Sequence, residues 1–135
     1  MFYQYCPPFV TRDSIRSDLK ALPPNTSYEN KYYMGFFHEG NLVAIMDLIL
    51  GYPNQNTAFI GLFMVSKSEQ GKGVGTDIIS ECAGFLKEKH YTRIRLAFAE
   101  GNQQSEMFWK KNKFMKTGEI SDKGEYTAVL MERKL

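Results

Sequence analysis

The sequence predicts a mixed α/β domain, with a central, mostly antiparallel sheet that contains one parallel strand pair and is flanked by helices. Three observations carry this expectation. The runs Tyr32 to Phe37 and Leu42 to Leu50 are rich in strand formers and are joined by His38-Glu39-Gly40-Asn41, which has hairpin turn chemistry. A helical pattern from Thr76 to about Lys89 lies between two strand-like runs, Thr57 to Val65 and Arg93 to Ala99, and such a unit requires a parallel, right-handed crossover. The C-terminal runs Phe114 to Ile120 and Tyr126 to Met131 form a last pair around Ser121-Asp122-Lys123-Gly124.

Taken in order, residues 11–22 read as a short helix. Thr11 is its N-cap, Ile15, Leu19 and Leu22 recur at helical spacing, and Pro23-Pro24 ends it. The hairpin follows, then a turn around Tyr52-Pro53-Asn54-Gln55-Asn56. Thr57 to Val65 alternates poorly and reads as a central strand buried on both faces. In the next helix Ile78, Ile79, Cys82, Phe85 and Leu86 share one face. Gln103 to about Asn112 is a second amphipathic helix, giving the order α-β-β-β-α-β-α-β-β.

Composition narrows the class. The 135 residues suit a single domain, 43% of them are hydrophobic and 14% aromatic, as in a packed globule, and no apolar stretch is long enough to span a bilayer. The first ten residues lack the features of a secretory signal, so a cytoplasmic, reducing location is expected. Cys6 lies beside Pro7-Pro8 and Cys82 on a helix face, a pattern that suggests neither a disulfide framework nor a metal site. A net charge of +2 does not imply nucleic-acid binding, and the basic run Lys110, Lys111, Lys113 and Lys116 reads as a solvated face.

The stretch Gln70-Gly71-Lys72-Gly73-Val74-Gly75-Thr76, between a strand and a helix, has the character of an anion cradle. Its glycines let backbone approach a ligand, and the N–H groups at the helix start face it with the positive end of the helix dipole behind them. A Walker loop requires Ser or Thr directly after Gly-Lys, and here Gly73 follows Lys72. A dinucleotide fingerprint requires G-x-G-x-x-G, and here the glycines are spaced G-x-G-x-G. The remaining pattern, Q-x-x-G-x-G after an apolar strand, resembles the acetyl-coenzyme A loop of the GNAT family of N-acetyltransferases. A second stretch, Asn102-x-x-Ser105-x-x-Phe108-Trp109-Lys110-Lys111-x-Lys113-Phe114, is similar to the family pattern N-x-x-A-x-x-F-Y-E-K-x-G-F and stands one helix and one strand later.

The resemblance implies that the central and following parallel strands splay apart and that acetyl-CoA fills the gap. Backbone at Phe63, Met64 and Val65 would pair with the pantetheine arm, and N–H groups of Gln70 to Thr76 would receive the pyrophosphate. Asn102 would bond the arm, Ser105 and Trp109 would wall the thiol end, and Lys72 and Lys111 would screen phosphate charge, with a solvated lysine as the other reading of each. The implied acceptor is a small-molecule or peptide amine, bound near the first helix, the hairpin loops, Tyr28 to Tyr33 and Tyr52, with no metal, nucleic acid or membrane involved.

Acyl transfer to an amine needs a base for the ammonium proton and, usually, an acid for the departing thiolate. Many family members supply the acid from the tyrosine of the F-Y pair; this chain has Trp109, whose indole N–H only donates a hydrogen bond. Tyr33, Tyr52 or Tyr126 are alternative acids, as is solvent. The central strand contains no carboxylate, which leaves Asp47, interrupting an apolar run, and Glu100 as candidate bases; for Asp47 a place on the wet face of the sheet is the other reading. Lys113 replaces the family glycine that ends the helix in a left-handed conformation, a role open to Asn112. Only Met1 to Val10 precede the first helix, where the family has a strand and helix more. An unfilled sheet edge follows, filled by residues 1–10 or by a homodimer through an edge strand or the helix near residue 15.

Overall fold

The computed structural model of the chain describes residues 4–6 and 30–135; the helix expected over residues 11–22, and Tyr28, lie outside the described residues. In chain order the elements are β1 (Gln4–Cys6), β2 (Lys31–His38), β3 (Asn41–Leu50), β4 (Thr57–Val65), α1 (Val74–Glu88), β5 (Arg93–Ala99), α2 (Gln103–Lys111), β6 (Met115–Asp122) and β7 (Thr127–Lys134). The strands form one sheet in the order β1-β2-β3-β4-β5-β7-β6, with β4 and β5 parallel and every other neighbouring pair antiparallel. The short β1 takes the edge beside β2, pairing Gln4 with Phe37 and Cys6 with Gly35.

Local chemistry explains the boundaries. Glu39 and Gly40 have φ of 52° and 80°, the left-handed pair of a two-residue hairpin loop that sets His38 opposite Asn41. After β3, the Asn54 carboxamide oxygen accepts from Asn56 N and Thr57 Oγ1, closing the turn into β4. α1 starts at Val74 rather than Thr76: Gly73, in a left-handed conformation, is the N-cap, and Val74 is the first residue of the buried face. Its buried face is Ile78, Ile79, Cys82, Ala83 and Leu86, while Phe85 sits at the rim, 45% exposed, with Lys89 Nζ above its ring.

One core cluster joins Met34, Met46 and Ile60 of the sheet to Ile78 and Leu86 of α1 and to Trp109 of α2, so both helices pack on the same sheet face. Each large side chain buried there contributes about 1.5–3 kcal/mol. Two expectations need correction. The central strand is buried only to Ile60, since Gly61 and Met64 are exposed; the cause is the loss of its parallel neighbour, described below. The end of α2 is also built differently: Lys113, with φ of 74°, takes the left-handed position, whereas Asn112 has φ of −94°. Asn112 is held by its buried side chain, which donates from Nδ2 to Phe108 O at 2.9 Å, so the turn falls to the exposed residue after it.

Candidate functional site

β4 and β5 pair for only four positions, from Thr57 with Arg93 to Ile60 with Leu96. At that point β4 gains an extra residue against β3: Leu48 faces Ile60 but Asp47 faces Leu62, leaving Gly61 as a bulge. Beyond it β4 follows β3 to Val65, opposite Ala44, while β5 follows β7 to Ala99, opposite Ala128. The two strands therefore splay into a V. Glycine leaves room at the bulge for the Asp47 carboxylate: a Cβ on Gly61 would lie 3.1 Å from Asp47 Oδ2, close enough that the carboxylate would have to shift.

The V opens into a cleft of about 570 Å³. One wall is Phe63, Met64 and Val65; the mouth is Gln70, Gly71, Gly73, Gly75 and Thr76; and the far wall is Asn102, Ser105, Trp109 and Lys111. Of the donor-site residues expected from sequence, Lys72 and Val74 do not line it. Lys72 is exposed and reaches Glu69 Oε2 at 4.0 Å, and the Val74 side chain belongs to the core. Glu69, Gln104 and Phe108 also line the cleft. Phe108 had a signal in the motif but reads as core packing from periodicity alone; Glu69 and Gln104 carried none.

The mouth is built by the loop chemistry. Gln70 Nε2 donates to Val65 O at 3.0 Å, tying the loop back to the end of β4. Gly71 and Gly73 have φ of 79° and 82°, and Gly73 is the N-cap of α1, with no side chain to cap the helix. The first N–H bonded back along the helix is Asp77 N, to Gly73 O at 3.0 Å. The N–H groups of Val74, Gly75 and Thr76 precede it and have no i−4 acceptor within α1. They present the positive end of the dipole of a 15-residue helix to the cleft. Gly75 lets this turn approach α2, since a Cβ there would meet Phe108 Cε1 at 3.0 Å.

The α2 wall is held by a cap and by stacked rings. Asn102 Oδ1 accepts from Ser105 N at 3.1 Å, so this motif residue caps α2. Trp109, 7% exposed, lies 5.9 Å from Phe63, 4.9 Å from Phe108 and 5.2 Å from Phe114, centroid to centroid. The basic run divides by role. Lys110 and Lys116 bond Glu106 and hold its carboxyl below the usual carboxylate range, whereas Lys111 faces the cleft.

None of the acid and base candidates lines the cleft. Asp47 is not on a wet face: it is buried and its Oδ2 receives Lys31 Nζ at 2.7 Å. Met46 and Leu48 on either side of it join the core under α1, so Asp47 points to the opposite sheet face, at the bulge that starts the splay. Tyr33 is its neighbour across the β2–β3 pair and is buried. Tyr52 packs edge-on against Phe59, 5.3 Å between centroids, and Tyr126 is exposed. Glu100 borders a smaller pocket of about 190 Å³ with Phe98, Lys116 and Ile120.

Among the described residues no group of three or more His, Cys, Asp or Glu is placed to hold a metal, and no helix is long and apolar enough to cross a membrane. Burial pushes the Cys82 thiol up to about 12, against a weaker opposing pull from Arg133. Above its ordinary value of 9.0 the unfolded thiol ionises while the folded one keeps its proton. The folded state then binds more protons, so stability falls as pH rises, by up to about 1.4 kcal/mol per unit. Urea midpoints at pH 8, 9 and 10 should therefore fall more steeply for the wild type than for Cys82→Val.

The family model described as Acetyltransferase (GNAT) family matches residues 2–114. Among solved structures, a Bacillus subtilis acetyltransferase in complex with CoA superposes with a TM-score of 0.71 at 15% identity, covering 98% of this chain and 99% of that one. Ard1 from Thermoplasma volcanium gives 0.71 at 20% identity over 93% of this chain and 80% of its own. The PaiA N-acetyltransferase from Thermoplasma acidophilum in complex with coenzyme A gives 0.66 at 22% identity over 78% of this chain and 62% of its own. No curated protein matches the chain. The family match spans most of the sequence and includes the splayed strands, the glycine loop and the Asn102 to Phe114 stretch, and the chain belongs to the Acetyltransferase (GNAT) family.

Proposed function

We propose that the chain is an N-acetyltransferase that moves an acetyl group from acetyl-CoA to a primary amine of a small molecule or peptide, by direct transfer within a ternary complex. The observation that carries this reading is the V between β4 and β5 ending on an N-terminus of α1 with no side-chain cap. The residues fit the donor. Gly71 and Gly73 adopt a conformation that side chains disfavour, and a Cβ on either would enter open space at the cleft mouth, the space an anion needs. Backbone of Phe63 to Val65, without a strand partner on the β5 side, would pair with the amide-bearing arm, and the first turn of α1 with Lys111 would hold the phosphates.

Bound acetyl-CoA supplies a thioester carbonyl for the amine to attack. The chain's contribution is orientation of the two reactants, exclusion of water by the Phe63, Phe108 and Trp109 rings, and removal of the amine proton. For that proton the proposed base is Asp47, at the bulge where the splay begins, with Glu100 at the end of β5 as the second candidate. Tyr33 and Tyr52 are the proposed acids, with solvent protonation as the alternative. A homodimer through the β1 or β6 edge would double the chain mass in light scattering.

A second reading, a non-catalytic acyl-CoA-binding module of the same fold, is favoured by Trp109, which fills the position of the family tyrosine and is locked among aromatic rings. Thiol release from acetyl-CoA across an amine panel separates the two. Acceptor-dependent release supports the transferase; coenzyme A binding without it supports the module; no binding removes both.

A further inference from the structure

Asn112 is one of three buried polar or charged residues among those described, and no motif position accounts for it. A buried carboxamide costs stability unless its bonds are made, so where it spends them is informative. Asn112 Nδ2 donates to Phe108 O at 2.9 Å and to Thr76 Oγ1 at 3.4 Å, and the backbone carbonyl of Asn112 accepts from Arg133 Nη1 at 3.1 Å. It therefore ties together the C-terminus of α2, the first turn of α1 and β7. Phe108 and Thr76, the two residues whose atoms receive its Nδ2 protons, both line the cleft.

We infer that Asn112 is a positioning residue for the anion cradle: it fixes the Thr76 hydroxyl so that its proton is directed to a phosphate of the bound donor. The carboxamide nitrogen is a donor only, so Thr76 Oγ1 must accept from it. A hydroxyl that accepts on one side has its own proton left to give. Thr76 stands in the first turn of α1 at the cleft mouth, among the N–H groups that have no i−4 acceptor within the helix and would receive the anion, and its O–H adds one donor to them. The bond to Phe108 O holds the Asn112 side chain at the end of α2, so both cleft walls keep their spacing when the site fills. This inference rests on the acetyl-CoA reading of the cleft.

The test is a double-mutant cycle on coenzyme A affinity, measured by calorimetry on the full chain well below each variant's melting temperature. Wild-type binding is measured first, and its absence overturns the reading of the cleft and this inference with it. Given wild-type binding, Thr76→Val and Asn112→Ala should each weaken coenzyme A about fivefold to tenfold, with Thr76→Ser close to wild type. The double variant should lose no more than the weaker-binding single variant, because both remove one hydrogen-bond chain. Losses that multiply, or an Asn112→Ala that melts earlier yet binds as the wild type does, would overturn the positioning role and leave the cleft assignment standing.

Discussion

Gly73→Glu should lose coenzyme A binding by about a hundredfold or more, read by calorimetry, while the chain remains folded. Two separable effects add. At a φ of 82° a side chain costs about 1–2 kcal/mol through clash with the following carbonyl, and this weakens the fold whether or not ligand is present. The second effect acts on binding alone. A carboxylate at the N-cap of α1 satisfies the N–H groups of the first turn and places negative charge where the pyrophosphate would sit. Displacing it costs the ligand the interactions that the glycine left open, and every 1.4 kcal/mol is tenfold in affinity. Gly73→Ala isolates the first effect: it should lower the melting temperature with a much smaller change in affinity. Wild-type affinity in Gly73→Glu would show that the anion is not held at this helix end.

The parts of the fold that were legible in the sequence are those fixed by short-range chemistry. The turn chemistry of His38-Glu39-Gly40-Asn41 pointed to the hairpin, and G-x-G-x-G before an amphipathic run marked where α1 begins, though the helix starts at Val74 rather than near Thr76. The family resemblance carried by that spacing and by Asn102 to Phe114 implied many of the residues that line the cleft, but it also included Lys72, turned to Glu69, and Val74, turned to the core, and it left out Glu69, Gln104 and Phe108. What stayed hidden depends on contacts distant in sequence. Gly61 reads as one more small residue in an apolar run; its role as a bulge exists only through the register of β4 against β3. Asn112 bonds Thr76, 36 residues earlier, as well as Phe108 O in its own helix, and with its side chain held there the helix-ending turn falls to Lys113. Asp47 stood out as a charge in an apolar strand, but its partner lies 16 residues away across a hairpin, beyond the reach of local pattern.

Lys31→Ala should destabilise the chain by about 3–5 kcal/mol, because it leaves the buried Asp47 carboxylate without its ammonium partner. Against a total stability of about 5–15 kcal/mol this is a large fraction, and the melting temperature should drop by roughly 10–20 °C. Both side chains are less than 10% exposed, at 4% and 9%, so solvent cannot take over the lost contact as it would at the surface. The Coulombic gain of such a pair is largely offset by the cost of burying it, so replacing both partners by apolar residues should recover most of the loss. Lys31→Met with Asp47→Leu is that replacement, and it also separates structure from chemistry. If the double variant melts near the wild type and binds coenzyme A but shows no turnover, Asp47 is the base and Lys31 its keeper. Turnover at the wild-type rate in the same variant would assign the pair to the fold alone and move the search for the base to Glu100, at the end of the strand that leaves β4.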